Sequence, residues 1–89
     1  MYLINREFHM SKPDVSQIYG KIKFVDHFED YKVKVVDNFA DLHVKVVDHF
    51  ADSDGKWKIV DHFEDFKIKK VDHFEDFKIK LVDHFEGSQ

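Results

Sequence analysis

The chain has 89 residues, no cysteine and a formal net charge of -4. That length allows one domain. Without cysteine there can be no disulfides and no thiolate metal sites, so a reducing, cytoplasmic setting is expected. The charge is too small for composition alone to point to nucleic acid or a membrane surface. No stretch approaches the roughly 20 apolar residues of a membrane helix, so no membrane span is expected.

Residues 1–19 stand apart from the rest of the chain. Tyr2, Leu3, Ile4, Phe8, Ile18 and Tyr19 flank a polar middle, and Pro13 in Ser-Lys-Pro-Asp marks a turn. There is no signal-peptide run. This segment reads as an N-terminal cap for a repeat stack, whose first unit would otherwise have open edges.

Residues 20–87 are six copies of an 11-residue unit. Val-Asp-His-Phe or a close variant starts at Val25, Val36, Val47, Val60, Val71 and Val82. The even spacing is broken once, by the two-residue insertion Ser53-Asp54 between the third and fourth units. Positions 1, 3 and 5 of the unit are mostly apolar. Positions 2 and 4 are lysine in every copy except for His43. That alternation predicts a half-buried β-strand. Valine at position 6 breaks the alternation and predicts a corner. Asp at position 7 reads as a corner residue that accepts backbone hydrogen bonds. Residues 88–89 form a tail.

An 11-residue period can also mark a right-handed helical supercoil. Here the apolar positions form no helical stripe, and Val, Ile and Phe outnumber helix formers. The fold class expected is therefore all-β, a short-repeat β-solenoid with one 11-residue coil per unit. In that arrangement the position-9 phenylalanines form an internal ladder and the lysines form external columns. The rival is an antiparallel β-meander with one strand per repeat. It is disfavoured because its turns lack the Gly or Asn that positive φ wants, and because it leaves a Phe exposed at each turn tip. Position 5 lies at the edge of the apolar face, where Lys70 can snorkel. Trp57 reads as a core residue that fills space left by Gly55.

The Val-Asp units resemble uncharacterised bacterial proteins built from tandem single-strand repeats with a Val-Asp signature. The resemblance covers residues 20–87 and implies a β-repeat fold with no catalytic motif.

Three constellations could carry function. The first is the uncapped last coil, with Phe77, Ile79, Leu81, Val82 and Phe85. An open edge there invites a second copy, so a homodimer is expected. The second is the lysine face: Lys21, Lys23, Lys32, Lys34, Lys45, Lys56, Lys58, Lys67, Lys69, Lys78 and Lys80. Such a face could bind a polyanion, although no arginine and no aromatic is interleaved with it. The third is a histidine column, with His49, His62, His73 and His84 as candidate metal ligands. Stacked imidazoles point in parallel rather than converging, and no cofactor is expected. The repeats hold no nucleophile–base pair and no phosphate-cradling glycine loop. The expected function is a non-catalytic structural or protein-interaction module that self-associates through the last coil. A polyanion or an unidentified protein is the alternative partner.

Overall fold

The computed structural model describes residues 13–89. The alternation at positions 1 to 5 gives the expected strands: β1 (Gly20–Phe24), β2 (Tyr31–Val35), β3 (Leu42–Val46), β4 (Lys56–Ile59), β5 (Phe66–Lys70) and β6 (Phe77–Leu81). A two-residue strand, β7 (Gly87–Ser88), comes last. The 3-10 turn Val15–Gln17 precedes β1 and is capped by the Asp14 carboxylate, which accepts from the Ser16 N–H.

The strands do not stack as coils. They close into a six-stranded parallel barrel in the order β4-β1-β5-β2-β6-β3, with β3 pairing back onto β4. This overturns the solenoid. It overturns the meander as well, because each of the six pairings that close the barrel is parallel. The chain goes round twice. β1, β2 and β3 take alternate places in the first circuit, and β4, β5 and β6 fill the gaps in the second. Between circuits the chain must move by one place instead of two, and the Ser53-Asp54 insertion sits at that change of phase.

Parallel neighbours usually need a connection of a dozen residues or more. Here the connections run from Val25 to Asp30, and equivalently elsewhere. The register explains how so short a link suffices. Ile22 lies opposite Phe66, Ile68 opposite Tyr31, and Val33 opposite Phe77, a shift of two residues at each step. Around the barrel the shift totals about twelve residues, which tilts the strands by roughly 55° from the axis, beyond the usual 35–45°. A steeply tilted strand does most of the sideways travel itself. The loop has only to undo a rise of about 8 Å.

Because the shift is uniform, equivalent positions stand at one level and the interior is built in layers. The middle layer is position 3: Ile22, Val33, Val44, Trp57, Ile68 and Ile79, all essentially inaccessible. Position 1 adds buried Leu42 and Phe77, with Tyr31 and Phe66 packed against the core. Ile18, Val15 and Tyr19 join that core, and the Trp57 indole N–H donates to the Ile18 carbonyl at 2.8 Å. Trp57 is thus the core residue expected. The space beside Gly55, however, is filled by backbone: a side chain there would run into the Gly87 nitrogen and the His43 carbonyl. The part of the expected cap in residues 1–12 lies outside the described residues.

Position 5 forms the opposite rim. Val35, Val46, Ile59 and Leu81 are partly exposed there. Lys70 emerges at this rim with its ammonium 4.8 Å from the centre of the Phe24 ring, so the one lysine on the apolar face does reach solvent.

Candidate functional site: the crossing loops

Each loop within a circuit crosses the outside of a strand that belongs to the other circuit, whereas the loop from β3 to β4 joins direct neighbours. The loop from β1 to β2 crosses β5: the Val25 N–H donates to the Ile68 carbonyl and the Asp30 N–H to the Lys67 carbonyl. The loop from β2 to β3 crosses β6 through Val36 to Ile79 and Asp41 to Lys78. The second circuit reciprocates, crossing β1 through Val60 and Asp65 and β2 through Val71 and Asp76. Neither circuit can leave without passing the loops of the other.

The aspartate at position 11 fastens each of these crossings. Its N–H donates to the carbonyl of the crossed lysine, and its carboxylate accepts that lysine's N–H. The second bond is 2.8 Å for Lys67 to Asp30, 2.9 Å for Lys78 to Asp41, 2.9 Å for Lys21 to Asp65 and 2.7 Å for Lys32 to Asp76. The sequence places corner aspartates at positions 7 and 11 of the unit, and it is position 11 that makes the fastening bonds. In the fifth copy of this site Asp54, from the insertion, accepts from the Ser88 N–H and hydroxyl and holds β7 against β3. The chain end expected to be open is therefore paired.

At the apex of each loop stands phenylalanine: Phe28, Phe39, Phe50, Phe63, Phe74 and Phe85. All six have φ between 59° and 63°. They are 81–94% exposed, among the most solvent-open large apolar residues of the described chain. The expected internal Phe ladder does not exist. A left-handed residue turns the chain back over the crossed strand, and for a bulky L-residue that conformation is disfavoured by about 1–2 kcal/mol. Exposure returns none of that cost. In five loops the preceding histidine packs its ring against the Phe, with centroids 6.2–6.4 Å apart. Asn38 takes that place in the sixth. Asp at position 7 precedes every tip, and Glu or Ala at position 10 comes after it.

The structure scatters the other candidate residues. Phe77 and Ile79 are buried in a strand paired on both edges, so no open coil end remains for them to present. Leu81 and Val82 lie at the rim, and Phe85 is a loop tip. His49, His62, His73 and His84 are exposed on separate loops. Among the described residues no three His, Asp or Glu side chains are placed to hold a metal ion. The lysines do face outward, as the alternation implied, but they encircle the barrel instead of forming one flat face. They meet in register pairs: Lys21 with Lys58, Lys23 with Lys67, Lys32 with Lys69, Lys34 with Lys78 and Lys45 with Lys56, while Lys80 pairs with His43. Only Lys67, with Glu64 at 3.9 Å, forms a lysine–carboxylate pair among the described residues.

Sequence reasoning missed Phe28, Phe39, Phe50, Phe63 and Phe74 as surface residues, and the clamping role of Asp30, Asp41, Asp65 and Asp76. A signal existed for both. Each Phe sits in a run of polar residues with no alternation to turn it inward, and position 11 is Asp in five of six units. Among the described residues no helix is long and apolar enough to cross a membrane.

No curated protein matches the sequence. The family model described as the 7(1) septoil knot domain matches residues 15–89. That supports the expectation of a repeat-built family, now described by a knot and not by a Val-Asp signature. Two interleaved circuits, each crossing over the strands of the other, accord with that description. The chain belongs to the 7(1) septoil knot domain family.

Proposed function

We propose that the domain is a non-catalytic interaction module whose contact elements are the six phenylalanine tips. One observation carries this reading: each tip places a large apolar side chain in solvent on a left-handed backbone. Folding needs a residue that tolerates positive φ at these apices, and Asn or Gly meets that need better than Phe. A bulky aromatic repeated at six such places serves contact with something else. Aromatic side chains are also the residues that most often anchor interfaces. The closed barrel supports the display by holding the tips on a rigid frame.

Binding of a polyanion through the lysines is the weaker reading. The lysine pairs are interrupted by loops rich in Asp and Glu, so no broad surface of one sign forms.

The test is photo-cross-linking in the native host with benzoylphenylalanine in place of Phe63 or Phe74, and at Ser53 as a control. The expected result is discrete adducts from the tips and none from Ser53. Failure of both tip positions to give any adduct would overturn the proposal.

A further inference from the structure

We infer that the open end of the barrel binds a small aliphatic ammonium compound, with its chain against Val46 and Leu81 and its charge at Asp83. This site goes beyond the proposed function and uses none of the phenylalanine tips. The two ends of the barrel differ. Val15, Ile18 and Tyr19 pack onto the core at the position-1 end. At the position-5 end Val35, Val46, Ile59 and Leu81 are 42–54% exposed. Each strand leaves that end through a valine and then an aspartate, so carboxylates border an apolar rim. Asp26, Asp72 and Asp83 each line a cavity there.

Two of these cavities are the same site, one repeat apart. Val35, Lys70, Val71 and Asp72 line the first, of about 250 Å³. Val46, Leu81, Val82 and Asp83 line the second, of about the same volume, together with Val44 and Lys45. Lys70 stands opposite Val33 just as Leu81 stands opposite Val44.

The first site already holds an alkylammonium, which is the Lys70 side chain. Its stem crosses the apolar rim, and its ammonium lies 4.8 Å from the centre of the Phe24 ring. The second site has the same valine walls and its own carboxylate, but Leu81 is shorter than lysine and carries no charge. Asp83 is exposed and forms no ion pair among the described residues. Lys45 also borders this cavity, but the alternation of β3 turns its side chain to the outer wall. An external ammonium compound supplies at Leu81 what Lys70 supplies one repeat earlier. Asp83 repels a carboxylate or phosphate from the same place, and a neutral chain gains nothing from it.

The test is a two-dimensional amide NMR titration of the full chain at low salt. Three probes share one apolar body: hexylammonium, hexanol and hexanoate. Hexylammonium should shift the amides of Val46, Leu81, Val82 and Asp83 and saturate in the millimolar range, as suits so small a ligand. Hexanol should bind several-fold more weakly, and hexanoate should leave these amides unmoved. Leu81→Lys places a built-in ammonium in the second site and should abolish binding there. Asp83→Asn should weaken hexylammonium several-fold and leave hexanol unchanged. Lys70→Leu vacates the first site, so shifts should now appear at Val35, Val71 and Asp72 as well. Emission from buried Trp57 confirms that each variant is folded.

Absence of a saturable shift at the rim would overturn the inference. So would equal binding of hexanoate, shifts spread evenly over all the acidic loops, or a folded Leu81→Lys variant that binds hexylammonium as the wild type does. Each of these results leaves the reading of the tips untouched.

Discussion

In the strand Phe66–Lys70, side chains go where their chemistry directs, with Ile68 buried in the middle layer and Lys67 and Lys69 facing out. In the adjoining loop, Val71 to Asp76, the rules are reversed. A phenylalanine stands 90% exposed at φ 63°, and an aspartate does the fastening. The contrast recurs in the other units. The strand half is consistent with folding at every level, from propensity to layer packing. The loop half contains one residue that serves the fold, Asp at position 11, and one that opposes it, Phe at position 9. Where a repeat breaks a local rule in all six copies, the reason is to be sought outside the fold.

The sharpest break in this comparison comes from the core. Trp57→Ala removes a fully buried indole and its hydrogen bond to Ile18. It should cost about 3–5 kcal/mol in urea unfolding. A loss near zero would mean the layered interior is wrong. Next come the clamps. Asp65→Ala leaves the Lys21 N–H without its carboxylate, and a loss of about 1.5–3 kcal/mol is expected, the range for hydrogen bonds to charged groups. Asp61→Ala, at position 7 of the same loop, should stay within about 0.5 kcal/mol. Equal effects from the two would erase the distinction between clamp and corner.

Gly55→Ala tests the junction between circuits. Its φ of +86° disfavours any side chain, and its neighbour is the Gly87 backbone. A loss of about 1–3 kcal/mol is expected, together with faster amide exchange at Ser88 as β7 detaches. Unchanged exchange there would show that β7 is held independently of Gly55. The smallest effect has the opposite sign. Phe63→Asn should stabilise by about 0.5–1 kcal/mol, by easing a left-handed apex without losing a buried contact.

The strands were legible because each is announced locally, by lysines alternating with Ile, Val and Phe. The outward direction of the lysines, the buried Trp57 and the emergence of Lys70 at a rim could be read in the same way. Closure could not. Gly20 pairs with Trp57 and Ile22 with Phe66, 37 and 44 residues away. Near-identical units make one partner look as good as another. Only Ser53-Asp54 distinguishes the two circuits, and a two-residue insertion does not reveal that the chain changes phase there. The loops mislead for a more specific reason. Positive φ without Gly or Asn, and phenylalanine at exposed turn tips, count as objections to a meander when only the sequence is read. Both are properties of the actual fold. The candidate site lies hidden behind the ordinary assumption that phenylalanine belongs inside, which places Phe28, Phe39, Phe50, Phe63 and Phe74 in a core they do not enter.

The division of labour between the two halves of the repeat is tested most directly by urea unfolding of the tip variant, with all six apical Phe→Asn, beside the wild type. The expected midpoint is equal to or above that of the wild type, because the tips contribute nothing to the core and strain the backbone. A large drop would contradict the account. It would mean that the phenylalanines hold the crossings together and that their exposure is not for display.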